Sequence, residues 1–124
     1  MNRKEVFEWV MEAYGTEPDY PWKDSNAVLR HKHNKKWYGV ILEVSYKKLG
    51  FDESGRELGT NEDEVTDVLN VKCDPMMIGS LRQQPGYFPA YHMNKEKWIS
   101  ILLDGTVPQE NIKSLLEMSF ELTK

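Results

Sequence analysis

The sequence predicts an α+β domain with a mostly antiparallel sheet and helices packed on one face. Two observations predict it. Apolar residues recur at helical spacing near both ends of the chain and once in the middle. The strand-like segments between them come in consecutive pairs around short turns, not in alternation with helices. The order is helix, three strands, helix, two strands, helix. With 124 residues, 40% hydrophobic and 29% charged, the composition suits a single domain over 1–124.

Asn2 followed by Glu5 forms a capping box, and Val6, Phe7, Val10, Met11 and Tyr14 follow at helical spacing. Gly15 is a C-terminal stop, so the first helix is expected over Arg3 to Tyr14. Pro18 and Pro21 make Thr16 to Asn26 a connector. Ala27 to Lys32 and Lys36 to Tyr46 are expected to form a hairpin turning at His33-Asn34-Lys35, with Asn34 suited to a positive φ. The continuous run Val40-Ile41-Leu42 implies burial on both faces or a bulge.

Lys47 to Glu64 is polar and glycine-rich and reads as the least structured segment. Val65 to Cys73 is a third strand. Asp74-Pro75 then opens a short helix, Asp as N-cap and Pro at the first helical position, ended by Gln84-Pro85-Gly86. Tyr87 to Tyr91 and Lys95 to Leu103 form a second strand pair around His92-Met93-Asn94. Pro108 opens the last helix, with Ile112, Leu115, Leu116, Ser119 and Leu122 on one face.

Compartment signals agree with one another. Glu5, Glu8 and Glu12 interrupt any signal-peptide core, and no run approaches the ~20 apolar residues of a membrane helix. The single cysteine, Cys73, permits no intrachain disulfide and fits a reducing compartment. A cytoplasmic protein without a membrane role is expected.

The net charge of -4 excludes a uniformly basic nucleic-acid binder but conceals segregation. Lys23 to Lys48 carries seven bases against two acids, and Leu49 to Asn70 carries one base against seven acids. The hairpin tip concentrates Arg30, Lys32, Lys35 and Lys36 with His31 and His33. A basic β-ribbon can enter a DNA groove or straddle phosphates. A charged edge that resists sheet-to-sheet pairing is the plainer alternative. The acidic block (Asp52, Glu53, Glu57, Glu62, Asp63, Glu64, Asp67) lacks EF-hand spacing and reads as a solvated loop.

Catalytic signatures are missing. No dinucleotide, P-loop or nucleophile-elbow motif occurs. His31 and His33 lack visible further zinc ligands and are expected to be exposed. Cys73 with His92 carries no surrounding signature, and Cys73 reads as a buried core thiol. Neither an enzyme nor a bound metal or cofactor is expected. Tyr91-His92-Met93-Asn94-Lys95 is the densest polar–aromatic cluster. It either takes an anionic ligand through His92, Asn94 and Lys95, or holds the connection together with a buried histidine and asparagine. Trp37 and Trp98 read as core or half-core aromatics that could stack on a base if exposed.

Several of these segments, taken together, resemble the MmcQ/YjbR family. They are Tyr20-Pro21-Trp22, Lys36-Trp37-Tyr38, Asn70 to Pro75, Pro89 to Lys95 with Trp98, and Ser119 to Thr123. The resemblance covers essentially the whole chain. Its most specific stretch is Tyr91 to Trp98, where members often carry a histidine before the tryptophan and this chain has Lys97. The resemblance implies a fold likened to CyaY and to secretion chaperones, and a double-wing mode of DNA binding. Arg30, Lys32, Lys35 and Lys36 would form one wing, and Lys95 and Lys97 would extend the footprint. Tyr91, His92, Asn94, Lys95 and Trp98 are the motif's polar cluster. The chaperone likeness supports a second reading, a protein- or peptide-interaction module with no nucleic-acid role.

Overall fold

The computed structural model describes residues 1–50 and 64–124. Most of the acidic stretch, from Asp52 to Asp63, therefore lies outside the described residues. The chain runs α1 (Arg3–Tyr14), β1 (Ala27–Arg30), β2 (Trp37–Ser45), α2 (Tyr46–Leu49), β3 (Val65–Lys72), α3 (Pro75–Leu81), β4 (Tyr87–Pro89), β5 (Trp98–Leu102) and α4 (Gln109–Leu122). The predicted order holds, with the short α2 added in the segment read as unstructured. The strands make one sheet in the order β1-β2-β3-β5-β4, and every neighbouring pair is antiparallel.

Local chemistry sets the ends of the elements. The Asn2 side chain accepts from the Glu5 N–H at 2.9 Å, and Glu5 accepts from the Asn2 N–H at 3.0 Å. Gly15 closes α1 at φ 67°, a left-handed conformation costly for residues with a Cβ. Asp74 caps α3 by accepting from the Met76 N–H at 3.0 Å.

The sheet has two differently covered faces. Val6 and Val10 of α1, Ile78 of α3, and Ile112, Leu115 and Leu116 of α4 pack on Leu29, Ile41, Leu69, Val71, Ile99 and Ile101. The three longer helices thus share one face, as predicted. Leu122 is 47% exposed and leaves the expected buried stripe, while Thr123 takes the inward position. The opposite face carries Val28, Val40, Leu42, Val44, Val68, Phe88 and Leu102, with α2 contributing Tyr46 and Leu49.

The Val40-Ile41-Leu42 run is continuous because both faces are buried, the first of the two expected explanations; the run itself is regular. Val40 and Leu42 face one cluster and Ile41 the other. A bulge lies just before them: Leu29 pairs with Gly39 and Arg30 with Trp37, so Tyr38 is the extra residue. The bulge reverses the side-chain alternation. Tyr38 enters the helix-side core, and Trp37 moves to the opposite face. Close approach fits the glycine beside it, because a Cβ on Gly39 would stand 2.9 Å from Leu29 Cδ1.

A helix hydroxyl completes the bulge. Carried two residues past Val40–Asn70, the β2–β3 register would set Lys72 opposite Tyr38. Instead the Lys72 N–H donates to Ser119 Oγ at 2.9 Å, and Ser119 Oγ donates to the Tyr38 carbonyl at 2.6 Å. The side chain from α4 replaces one rung of the ladder. The Tyr38 phenol donates to Thr16 Oγ1 at 2.5 Å, and burial pushes its pKa up to about 12. At the other end of the sheet, Arg3 makes a two-pronged ion pair with Asp67, both contacts at 2.9 Å, tying α1 to β3.

The hairpin turn differs from expectation in three ways. The strands stop at Arg30 and restart at Trp37, so the connection spans 31–36. Lys35, at φ 64°, carries the positive φ expected at Asn34. Asn34 instead uses its side-chain oxygen to accept from the Lys36 N–H at 3.0 Å, folding the chain around Lys35. His31 is 2% exposed, whereas His33 is exposed as expected. The His31 ring packs on Phe120 and Tyr38, and Nε2 lies 2.8 Å from Thr123 Oγ1. That hydroxyl also lies 2.7 Å from the Ser119 carbonyl, to which it donates.

Burial, reinforced by neighbouring His33, lowers the His31 pKa and keeps the ring neutral. The unfolded chain takes up this proton near pH ~6.5, the folded chain only below that. The stability from neutral His31 is complete above about pH 6.5 and is lost as pH falls towards the folded value. Urea midpoints should therefore drop further between about pH 7.5 and pH 5 in wild type than in His31→Gln. Equal drops would assign the acid sensitivity to other groups.

Candidate nucleic-acid interface

Antiparallel pairing decides where the predicted basic residues go. β2 and β5 both run opposite to β3, so they run the same way. The 31–36 turn enters β2 and the 90–97 connection enters β5, so both connections lie at one end of the sheet. Only β3 separates the two strands, which places them roughly 10 Å apart. Arg30, Lys32, Lys35 and Lys36 are thus gathered with Lys95 and Lys97 at a common end.

The cations are not equivalent. Arg30 Nε donates to Asp19 Oδ2 at 2.9 Å, and its guanidinium lies 5.4 Å from the centre of the Trp37 ring. Lys32 turns back onto the end of α1: a Cβ on Gly15 would stand 2.9 Å from its ammonium. That position favours a cation, because the helix dipole is negative there and the last turn of α1 has no base. Arg30, Lys32 and Lys35 line one open cleft together with Glu17 and Asp19, a space of about 590 Å³. Lys95 Nζ donates to the Ala90 carbonyl at 3.0 Å. Lys32, Lys35, Lys36, Lys95 and Lys97 are all exposed, and none has a side-chain ion pair among the described residues.

The connection before β5 is held from below. Asn70 of β3 and Ser100 of β5 are paired and fully buried on the face away from the long helices. Asn70 Nδ2 donates to the Tyr91 carbonyl at 2.8 Å, the Tyr91 N–H donates to Ser100 Oγ at 2.9 Å, and Ser100 Oγ donates to Asn70 Oδ1. This closed triangle fixes Tyr91 and launches His92 at φ 58°. His92 and Asn94 are exposed, which corrects the reading of a buried pair holding the connection. Asn94, though exposed, still holds the connection by hydrogen bonds: its side-chain Oδ1 accepts from the Glu96 N–H at 2.8 Å, and its carbonyl accepts from the Lys97 and Trp98 N–H groups at 3.3 and 2.9 Å. This turn delays the start of β5 to Trp98, and the preceding strand stops at Pro89 instead of Tyr91.

Beside this connection lies a groove of about 470 Å³ lined by Trp22, Trp37, Val40, Leu42, His92 and Met93 together with the polar Asp24 and Asn26. Trp22 is 47% exposed and meets Trp37 edge-on, with ring centres 5.9 Å apart. Trp98 is half-buried and does not line the groove. Sequence reasoning missed Trp22, Met93, Asn70 and Ser100 as site-forming residues. A polar residue amid each apolar strand was the available signal for the last two. Cys73 is buried, its thiol pKa raised by desolvation. Among the described residues, no three His, Cys, Asp or Glu side chains assemble into a metal-holding group. No helix among them is long and apolar enough to cross a membrane.

Trp22, Trp37 and His92–Met93 meet at one groove from three separate stretches of the resemblance. The YjbR family model matches residues 11–122. The chain belongs to the YjbR family. The Bacillus subtilis protein YyaQ is 46% identical over 126 residues, covering 100% of this chain and 99% of its own. The Escherichia coli K12 protein YjbR is 33% identical over 54 residues, 43% of this chain and 46% of its own. A Pseudomonas syringae crystal structure matches at TM-score 0.87 with 41% identity, covering 100% of both chains. A Deinococcus radiodurans crystal structure shares the fold at TM-score 0.67 and 24% identity, covering 98% of this chain and 77% of that one.

Removing one corner of the polar triangle leaves buried partners unsatisfied. Asn70→Ala should lower unfolding free energy by about 1–3 kcal/mol in chemical denaturation. It should also raise hydrogen exchange at Tyr91 and His92 more than at β1. Unchanged exchange at Tyr91 would show that the triangle does not hold the connection.

Proposed function

We propose that this YjbR-family protein binds DNA without catalysing a reaction on it, using the two connections at one end of its sheet as paired contact loops. The carrying observation is the shared end, which gathers the exposed Lys32, Lys35, Lys36, Lys95 and Lys97 beside Arg30. Their strands are roughly 10 Å apart, close to the ~12 Å width of a B-DNA major groove. The net charge of -4, with Glu17, Asp19 and Asp24 lining the neighbouring clefts and Glu96 between Lys95 and Lys97, counts against this reading, which rests on the local cluster of cations. Arg30 and Lys95, anchored to Asp19 and Ala90, hold the loops in shape. The exposed lysines make the variable contacts.

A labelled duplex titrated at about 50 and 200 mM salt tests this. About five phosphate contacts give a log–log slope near -4.5 and roughly a 500-fold loss of affinity across that range. Lys35→Glu/Lys36→Glu should weaken binding and flatten the slope by about two. Absence of binding at the lower salt, both to the duplex and to a single strand of the same length, would reject the reading and leave a protein or peptide partner at the Trp22–Trp37 groove as the better account.

A further inference from the structure

We infer that the Trp22–Trp37 groove is a nucleobase pocket, so that the preferred ligand is single-stranded DNA with an unstacked base beneath Trp22. The inference rests on the DNA-binding reading and adds a ligand form and a site to it. The groove has an apolar floor, Val40 and Leu42 of β2 with Met93, and aromatic walls, Trp22 and Trp37. The indoles stand 83° apart, an open corner of two flat surfaces. The volume of about 470 Å³ lies within the roughly 300–1,000 Å³ of small-ligand clefts. Trp22 stays half in water on a connector stiffened by Pro18 and Pro21, so hydrophobic burial within the chain does not account for its position.

Charge selects the occupant. No lysine or arginine among the described residues lines the groove itself, but cations border its lining: Arg30 lies over Trp37, Lys36 precedes Trp37 in the chain, and Lys95 and Lys97 follow His92–Met93 in the chain. Asp24, which also lines the groove, has its oxygens turned to Asn26, accepting from the backbone N–H at 2.8 Å and from Nδ2 at 3.3 Å. The cations and the aromatic corner together call for flat apolar rings carried on a polyanionic backbone. Single-stranded DNA combines these, with stacking supplying sequence-tolerant affinity and phosphates the electrostatic part. A duplex keeps its bases stacked inside and cannot fill the corner.

The test compares a labelled thymidine strand of about 15 nucleotides with a duplex of the same length, for wild type, Trp22→Ala and Trp22→Phe. Trp22 is a partly exposed connector residue, and matching unfolding midpoints would confirm that the variants fold. Wild type should bind the strand more tightly than the duplex, with quenching of tryptophan emission. Trp22→Ala should weaken strand binding roughly five- to hundredfold while leaving its salt slope and duplex binding in place, and Trp22→Phe should recover most of the loss. Duplex binding with equal strand affinity in wild type and Trp22→Ala would overturn the pocket and leave the two-loop reading intact. Failure to bind either nucleic acid would overturn both.

Discussion

The upper end of this molecule depends on one extra residue in β2. Had the strand stayed regular, Trp37 would face the helices and Tyr38 the opposite side. The bulge exchanges them. Tyr38 then fills the core beside Tyr14, His31 and Phe120, and Trp37 becomes available to the groove. Its displaced carbonyl is satisfied by Ser119, so α4 is bonded into the sheet as well as packed on it. Backbone irregularity of this sort persists only when its polar groups find partners. Here a serine hydroxyl provides them from a neighbouring layer.

The two faces solve different problems. The helix side is closed by aliphatic packing. The other side carries a buried Asn70–Ser100 pair whose hydrogen bonds end on the Tyr91 backbone. That polar insertion forgoes apolar burial at two central positions and fixes a loop that would otherwise have few tethers. The basic residues differ in their contacts: Arg30 is paired with Asp19, and the exposed Lys32 and Lys95 also touch Gly15 and the Ala90 carbonyl, contacts that the side chains of Lys35, Lys36 and Lys97 do not share. A count of positive charges treats these two groups as equal.

Much of this was legible because it is local. The capping box of α1, its Gly15 stop, the Asp74-Pro75 start of α3 and the paired strands are written in neighbouring residues. What was not legible depends on residues distant in sequence. His31 is buried because Thr123 and Phe120 arrive from the other end of the chain. The run Val40-Ile41-Leu42 allowed a bulge but could not place it at Tyr38, since placement needs the facing strand. The positive φ passed from Asn34 to Lys35 because the asparagine side chain found a better use as an acceptor. The groove escaped notice because Trp22, Trp37 and His92 share no spacing, only a destination.

The borders of the sheet bear on solubility. On one side β1 is only four residues long, and Asp19 already occupies part of its outer rim, exchanging backbone hydrogen bonds with Val28 at 3.0 and 2.8 Å. On the other, β4 is three residues long and ends in Pro89, which has no N–H to offer. Neither rim presents the long ladder of free donors and acceptors on which a second chain could template itself. Strand-to-strand polymerisation is thereby discouraged at both borders, and the lysines of the hairpin tip need not serve as its guard.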